Sequence, residues 1–289
     1  MSLIACTFEI ARCRLLPLSG HTLDLETHAM TLSPAGDMNA LPSEPEPTIA
    51  ALAAAELALR PTVELARDRS STRESLNRAA IRTLDVVVAA FLLLLLLPLM
   101  VLTVIAVRAE SPGPAFFWCE RVGYRGLRLR MVKVRKMIHR ASGCSLTTAE
   151  DARFTRIGGL LTKLKIDEIP QLLHVLGGSM SLVGPRPEAA EFVALHPREY
   201  GEILSVRPGI TGLSQIAFVD ERRILDPADP IGHYVSRILP QKMALDRMYA
   251  RQRSLSLNLR ILFWTTAAVV MRCEVAVHRD TGKMNLRKR

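Results

Sequence analysis

Residues 86–107, from Val86 to Val107, read VVVAAFLLLLLLPLMVLTVIAV, twenty-two positions without a charge. As a helix rising 1.5 Å per residue this segment is about 33 Å long, enough to cross the hydrocarbon of a bilayer. An ordinary single span is one reading. Two features favour another. Pro98 lies in the middle, where it removes a backbone hydrogen bond and kinks or breaks the helix at a cost of roughly 3 kcal/mol. Both flanks are basic: Arg67, Arg69, Arg73, Arg78 and Arg82 precede the segment, and residues 108–140 hold nine Lys or Arg against two acids. A spanning helix keeps its excess positive charge on one side. Basic flanks on both sides predict a helix that enters, turns near Pro98 and leaves by the same face, although proline kinks occur in true spans too.

Charge is uneven along the 289 residues. Residues 1–66 carry eight acids and three bases, a net of −5, which leaves +15 for the remainder. A body so basic points to an anionic partner: lipid headgroups, a nucleotide diphosphate or nucleic acid. Aromatics are 5% of the chain, so bases find little to stack on, and no nucleic-acid recognition motif is present; nucleic acid is therefore not expected as a partner. Five scattered cysteines, none in C-x-x-C spacing, read as reduced and structural, in keeping with a cytoplasmic location. Glu9, Arg12 and Arg14 interrupt the apolar start, so no signal peptide is expected there.

Four regions follow from these shifts. Residues 1–75 read as a poorly ordered extension, with a helical stretch over 49–60 that Pro61 ends. Residues 76–110 are the membrane helix, 111–275 the body of the protein and 276–289 a basic tail. Within the body, Phe116 to Met137 predicts a hairpin turning at Gly123-Tyr124-Arg125-Gly126, because apolar Leu127, Leu129 and Met131 alternate with Arg128 and Arg130. Residues 156–177 and 233–253 read as helices, the second basic and amphipathic. Ile261 to Met271 is apolar and too short to span; an interfacial helix or a buried core helix would suit it.

Asp167 and Glu168 stand together in Lys165-Ile166-Asp167-Glu168-Ile169-Pro170-Gln171-Leu172-Leu173. Adjacent acids are common on solvated helix faces. Pro170, however, favours the first turn of a helix and so puts this pair near an amide-rich N-terminus, a place where phosphate can be held. There one carboxylate can attack phosphorus while its neighbour holds a divalent cation. Mg²⁺ suits such a pair, since it binds through one or two carboxylates plus substrate phosphates. Arg186, stiffened between Pro185 and Pro187, suits a diphosphate. Arg207-Pro208-Gly209 is a weaker signal of the same kind. Lys133 and Arg135 share one face of a strand, as a solvated or lipid-facing stripe or as phosphate contacts.

Several motifs in order resemble the bacterial sugar transferase family, the monotopic polyprenyl-phosphate phosphoglycosyl transferases, over roughly residues 80–272. They are Leu84-Asp85, Ser111-Pro112-Gly113-Pro114, Glu120-Arg121-Val122-Gly123, Lys133-Val134-Arg135-Lys136-Met137, Arg153-Phe154-Thr155-Arg156-Ile157-Gly158, the acid pair, Gly184-Pro185-Arg186-Pro187, and His233-Tyr234-Val235 through Leu245-Asp246. The resemblance implies an α+β, mostly helical monotopic membrane protein with a re-entrant helix broken at Pro98, interfacial amphipathic helices and a small β-hairpin. It implies transfer of a sugar 1-phosphate from a nucleotide sugar, usually a UDP-sugar, to membrane polyprenyl (undecaprenyl) phosphate. Asp167 would be the nucleophile, Glu168 the Mg²⁺-associated acid, and Arg186, Lys163, Lys133, Arg135 and Arg207 the phosphate-binding residues. The setting would be the cytoplasmic face of a bacterial inner membrane, at the start of exopolysaccharide, capsule or O-antigen synthesis. Polysaccharide-assembly proteins and a second copy of the chain stand open as further partners.

The chain departs from the family pattern in places. Leu97-Pro98 replaces Ser-Pro. Where the family often has Arg-Lys-Thr-Ser-Leu-Asp, this chain has Thr162-Lys163-Leu164-Lys165-Ile166-Asp167, losing an arginine and a serine; Lys165 could supply the lost charge. Lys-Phe-Arg-Ser-Met becomes Lys133 to Met137 with Val134 and Lys136, and Gly-Asp-Met-Ser becomes Gly178-Ser179-Met180-Ser181. These changes motivate an alternative, a catalytically weak relative acting as a membrane scaffold in polysaccharide assembly.

Overall fold

The structure is a computed structural model describing residues 72–139, 146–148, 151–269, 271, 273, 275–278 and 281–286. Nearly all of the predicted N-terminal extension, with its helical stretch over 49–60, lies outside the described residues. The first element, α1, runs Thr72–Glu110 and is assigned as one helix through Pro98. The proline forfeits one hydrogen bond without ending the helix. By length and composition α1 can cross a membrane. Phe91, Leu94, Leu95, Leu102 and Ile105 are all at least 60% exposed, an apolar surface that water does not favour.

Both ends of α1 are bonded to the rest of the chain. Near the start, Arg82 donates to the carbonyls of Val175 and Leu176 at 2.6 and 2.8 Å. Buried Asp85 accepts from the Ser181 hydroxyl at 2.7 Å and the Leu182 amide at 3.0 Å. At the far end, Glu110 accepts from the Ile157 amide at 3.1 Å.

The predicted hairpin is present: β1 (Phe116–Val122) pairs antiparallel with β2 (Arg128–Val134) across a 3₁₀ turn at Tyr124–Gly126. Leu129 and Met131 face the core while Leu127 is exposed. The stretch predicted as one helix over 156–177 is divided. Helix α2 (Arg156–Lys163) ends where Lys165 takes a left-handed conformation, φ 58° and ψ 20°; a 3₁₀ helix then covers Ile166–Gln171, and α3 covers Leu172–Leu176. Strand β3 (Ser181–Val183) leads through α4 (Ala190–Leu195) and α5 (Pro197–Ile203) to β4 (Gly209–Thr211), which lies parallel to it. Next come α6 (Leu213–Ala217), α7 (Glu221–Ile224) and α8 (Pro230–His233), then a π-helical turn at Tyr234–Ile238, α9 (Leu239–Gln252) and α10 (Leu255–Val269). The fold is thus α+β and mostly helical, as expected.

The main core gathers Ala89 of α1, Leu129 and Met131 of β2, Leu172 and Val175 of α3, Leu182 of β3, Leu245 of α9 and Ile261 of α10. Helix α10 buries one face, as a core helix does, with Ile261 fully buried, while Phe263 on it is 67% exposed. The region expected as a basic tail contains a hairpin, β5 (Val275–Val277) with β6 (Met284–Leu286). Met284 is buried in the main core, so burial of this side chain holds the segment to the body.

Candidate active site

A cavity of about 650 Å³ lies where the 3₁₀ helix crosses the end of β2. One wall is apolar, with Leu92, Leu96 and Leu99 of α1 and Val269 of α10; Lys133, Lys136, Asp167, Glu168 and Arg186 line the polar part. The left-handed turn at Lys165 places Asp167 and Glu168 in the first turn of the 3₁₀ helix. Pro170 falls inside this helix instead of opening it, yet the acid pair does sit at a helix start.

The two carboxylates have different surroundings. Asp167 is buried, with Oδ2 3.4 Å from Lys136 Nζ; its buried Oδ1 has no hydrogen-bond partner. Glu168 Oε1 accepts from Arg186 Nη2 at 2.7 Å and lies 3.7 Å from Lys133 Nζ. Burial alone would push the Glu168 carboxyl up, but the charges of Arg186 and then Lys133 hold it well below the usual carboxylate range. Burial lowers Lys133, against the opposing pull of Glu168, and Lys165 is lowered in the same way. Four cationic side chains, Lys133, Lys136, Lys165 and Arg186, thus surround two acids. That balance attracts a polyanion such as a diphosphate.

Among the described residues no three His, Cys, Asp or Glu side chains gather as a metal cluster. Two adjacent carboxylates, one with an orphaned buried oxygen, fit a cation that takes the rest of its shell from substrate phosphates.

Arg186 is set by the β3–β4 pair. Gly184 donates to the Thr211 carbonyl and Gly209 to that of Pro185, each at 2.8 Å. The two glycines approach so closely that a Cβ on either would overlap the other's backbone. Arg207-Pro208-Gly209 therefore acts as a backbone brace for the Arg186 loop. The Arg207 guanidinium lies 5.8 Å from the centroid of the Tyr124 ring, outside the cavity lining. Arg135 is also placed elsewhere: its buried guanidinium donates to the carbonyls of Val107, Ser111 and Pro112, closing the C-terminal end of α1. Lys163 is exposed on α2 and does not line the cavity. Of the expected phosphate-binding residues the structure brings Lys133 and Arg186 to the acid pair.

Two features were not in the sequence reading. Lys136 had appeared there only as a departure from a motif, yet it is the cation beside Asp167. Lys242 Nζ, buried at the other end of the cavity, bonds Glu188 at 2.9 Å, Glu221 at 3.1 Å and Tyr234 Oη at 2.8 Å. Glu188 follows Pro187 directly, so this cluster ties the Arg186 loop to α9. Its members come from distant segments and carry no local signal.

The family model described as bacterial sugar transferase matches residues 76–272, a stretch that includes α1, the acid pair and the Arg186 loop. The chain belongs to the bacterial sugar transferase family. Over 194 residues it is 38% identical to a UDP-glucose:undecaprenyl-phosphate glucose-1-phosphate transferase of Caulobacter vibrioides, covering 65% of this chain and 69% of that protein. It is 35% identical over 201 residues to a UDP-N-acetylgalactosamine-undecaprenyl-phosphate N-acetylgalactosaminephosphotransferase of Aeromonas hydrophila, covering 65% of this chain but only 43% of the relative. An exopolysaccharide production protein PSS of Rhizobium leguminosarum is 34% identical over 201 residues, 66% of this chain and 95% of the relative. As a sugar transferase the chain is an enzyme, and its cavity, where a buried carboxylate oxygen has no partner, is the place to look for the chemistry.

Proposed function

We propose that this bacterial sugar transferase moves a sugar 1-phosphate from a UDP-sugar to membrane undecaprenyl phosphate through a covalent intermediate on Asp167. The names of its relatives support the donor and acceptor classes. One observation carries the mechanism: Asp167 Oδ1 is buried, unpartnered and set in a cationic cavity with an apolar wall. In the first step a lone pair of Oδ1 bonds the β-phosphorus of the donor. The bond from that phosphorus to the bridging oxygen breaks, and its electron pair leaves with UMP. In the second step a phosphate oxygen of undecaprenyl phosphate bonds the same phosphorus, and the Asp167 carboxylate departs. Arg186 and Lys133 face the donor phosphates and offset charge as it shifts. Glu168, held ionised, would hold Mg²⁺, which when bound neutralises and orients the diphosphate.

Contacts at the two ends of α1 support a membrane topology bent at Pro98. In a straight span the residues before Val86 and after Val107 lie on opposite sides of a hydrocarbon layer about 30 Å thick. Yet Asp85 and Glu110 both bond to one folded body. Those contacts support a re-entrant α1 with the body on the cytoplasmic face of the inner membrane, where UDP-sugars are made. The product would start an exopolysaccharide, capsule or O-antigen.

The test is UMP release by detergent-solubilised protein given undecaprenyl phosphate, Mg²⁺ and, in turn, UDP-glucose, UDP-galactose and their N-acetyl forms. Release with one donor, abolished by Asp167→Asn in a folded protein, is expected. Absence of release with every donor would favour the scaffold reading.

A further inference from the structure

We propose that Lys136 is a positioning residue for Asp167, holding one carboxylate oxygen so that the other stays free; this rests on the transfer reading above. Thr162, Lys165 and Lys136 all line the cavity around Asp167. Thr162 lines the cavity, but its hydroxyl donates to the Gly158 carbonyl at 2.8 Å and brings no charge. Lys136 Nζ instead reaches Asp167 Oδ2 at 3.4 Å, the ion pair that Asp167 makes among the described residues. Lys165, the more obvious substitute in sequence, lines the cavity without an ion pair among those residues.

The lysine is held at both ends. Its carbonyl accepts from the Thr155 amide at 3.1 Å, and Gly158 sits so close to that carbonyl that any side chain there would collide with it. Thr155 also caps α2 through the Gly158 amide at 2.9 Å, so the helix start and the Lys136 backbone are fixed together. The ammonium lies 5.9 Å from the centroid of the Phe154 ring. Within Arg153-Phe154-Thr155-Arg156-Ile157-Gly158, Thr155 and Gly158 thereby fix the backbone at 136, and Phe154 lies beside the ammonium. The ion pair engages Oδ2 and leaves Oδ1, buried and without a partner, as the oxygen free to attack.

The experiment uses the full chain in detergent with Lys136→Ser, Lys136→Arg and Lys136→Ser/Thr162→Arg. With the UDP-sugars named above, Lys136→Ser is expected to lower kcat for UMP release by about tenfold to a hundredfold with little change in donor KM. Lys136→Arg should keep most of the rate, and Thr162→Arg should restore at least about tenfold in the serine background. A wild-type kcat in Lys136→Ser, or no recovery in a folded double variant, overturns the assignment. Full activity in Asp167→Asn would instead sink the transfer reading itself, so the two failures are distinguishable.

Discussion

Asp246, enclosed in α9, accepts from the Ser214 hydroxyl at 2.7 Å. Burial pushes its carboxyl up to about 7, against the downward pull of Ser214 and Lys242. An ordinary aspartate ionises near 3.8. Below that pH both states hold the proton and the group contributes nothing to pH dependence. Between about pH 4 and 7 the unfolded chain has released a proton that the folded chain retains, so stability falls as pH rises, by up to roughly 4 kcal/mol. Above about 7 the penalty is complete. Asp246→Asn removes this dependence, so its melting temperature should gain on the wild type from pH 5 to pH 8. A constant difference across that range would contradict the reading. The sequence marked Leu245-Asp246 as part of a motif, but enclosure by Ser214 and Lys242, 32 and 4 residues away, gave no local sign.

At the scale of elements, α1 is the candidate membrane segment among the described residues. Its apolar run and proline were legible because hydrophobicity and length suffice to mark a membrane segment. Its helical turns on both sides of Pro98 were not, because a proline removes one hydrogen bond and bends the axis without ending the helix. The hairpin was legible through its period of two. What each strand residue meets was less so. Lys133 and Arg135 share a face but stand about 7 Å apart along the strand; the first meets Glu168 and the second meets carbonyls at the end of α1. For a re-entrant α1, single cysteines at Ser75 and Ala109, both exposed, in a cysteine-free background should both be shielded from a membrane-impermeant thiol reagent in intact cells and both react after lysis. Reaction of one alone in intact cells would show a crossing helix.

The whole molecule brings apolar side chains of α1 and a cationic cavity to the same carboxylate. The order of motifs made the acid pair and Arg186 legible, since each motif is local. The cluster of Lys242, Glu188, Glu221 and Tyr234 spans up to 54 residues and emerges only on folding. Around Asp167, α1 supplies an apolar wall, the end of β2 and the residues after it supply Lys133 and Lys136, the loop after β3 supplies Arg186, and the 3₁₀ helix supplies the carboxylate. The most direct test is intact-protein and peptide mass spectrometry after incubation with the UDP-sugar that supports UMP release, with Mg²⁺ and without undecaprenyl phosphate. The expected result is a mass gain of one sugar phosphate on the peptide containing Asp167, absent in Asp167→Asn and discharged when undecaprenyl phosphate is added. Rapid turnover with acceptor but no adduct on that peptide at any time would contradict a covalent aspartyl intermediate.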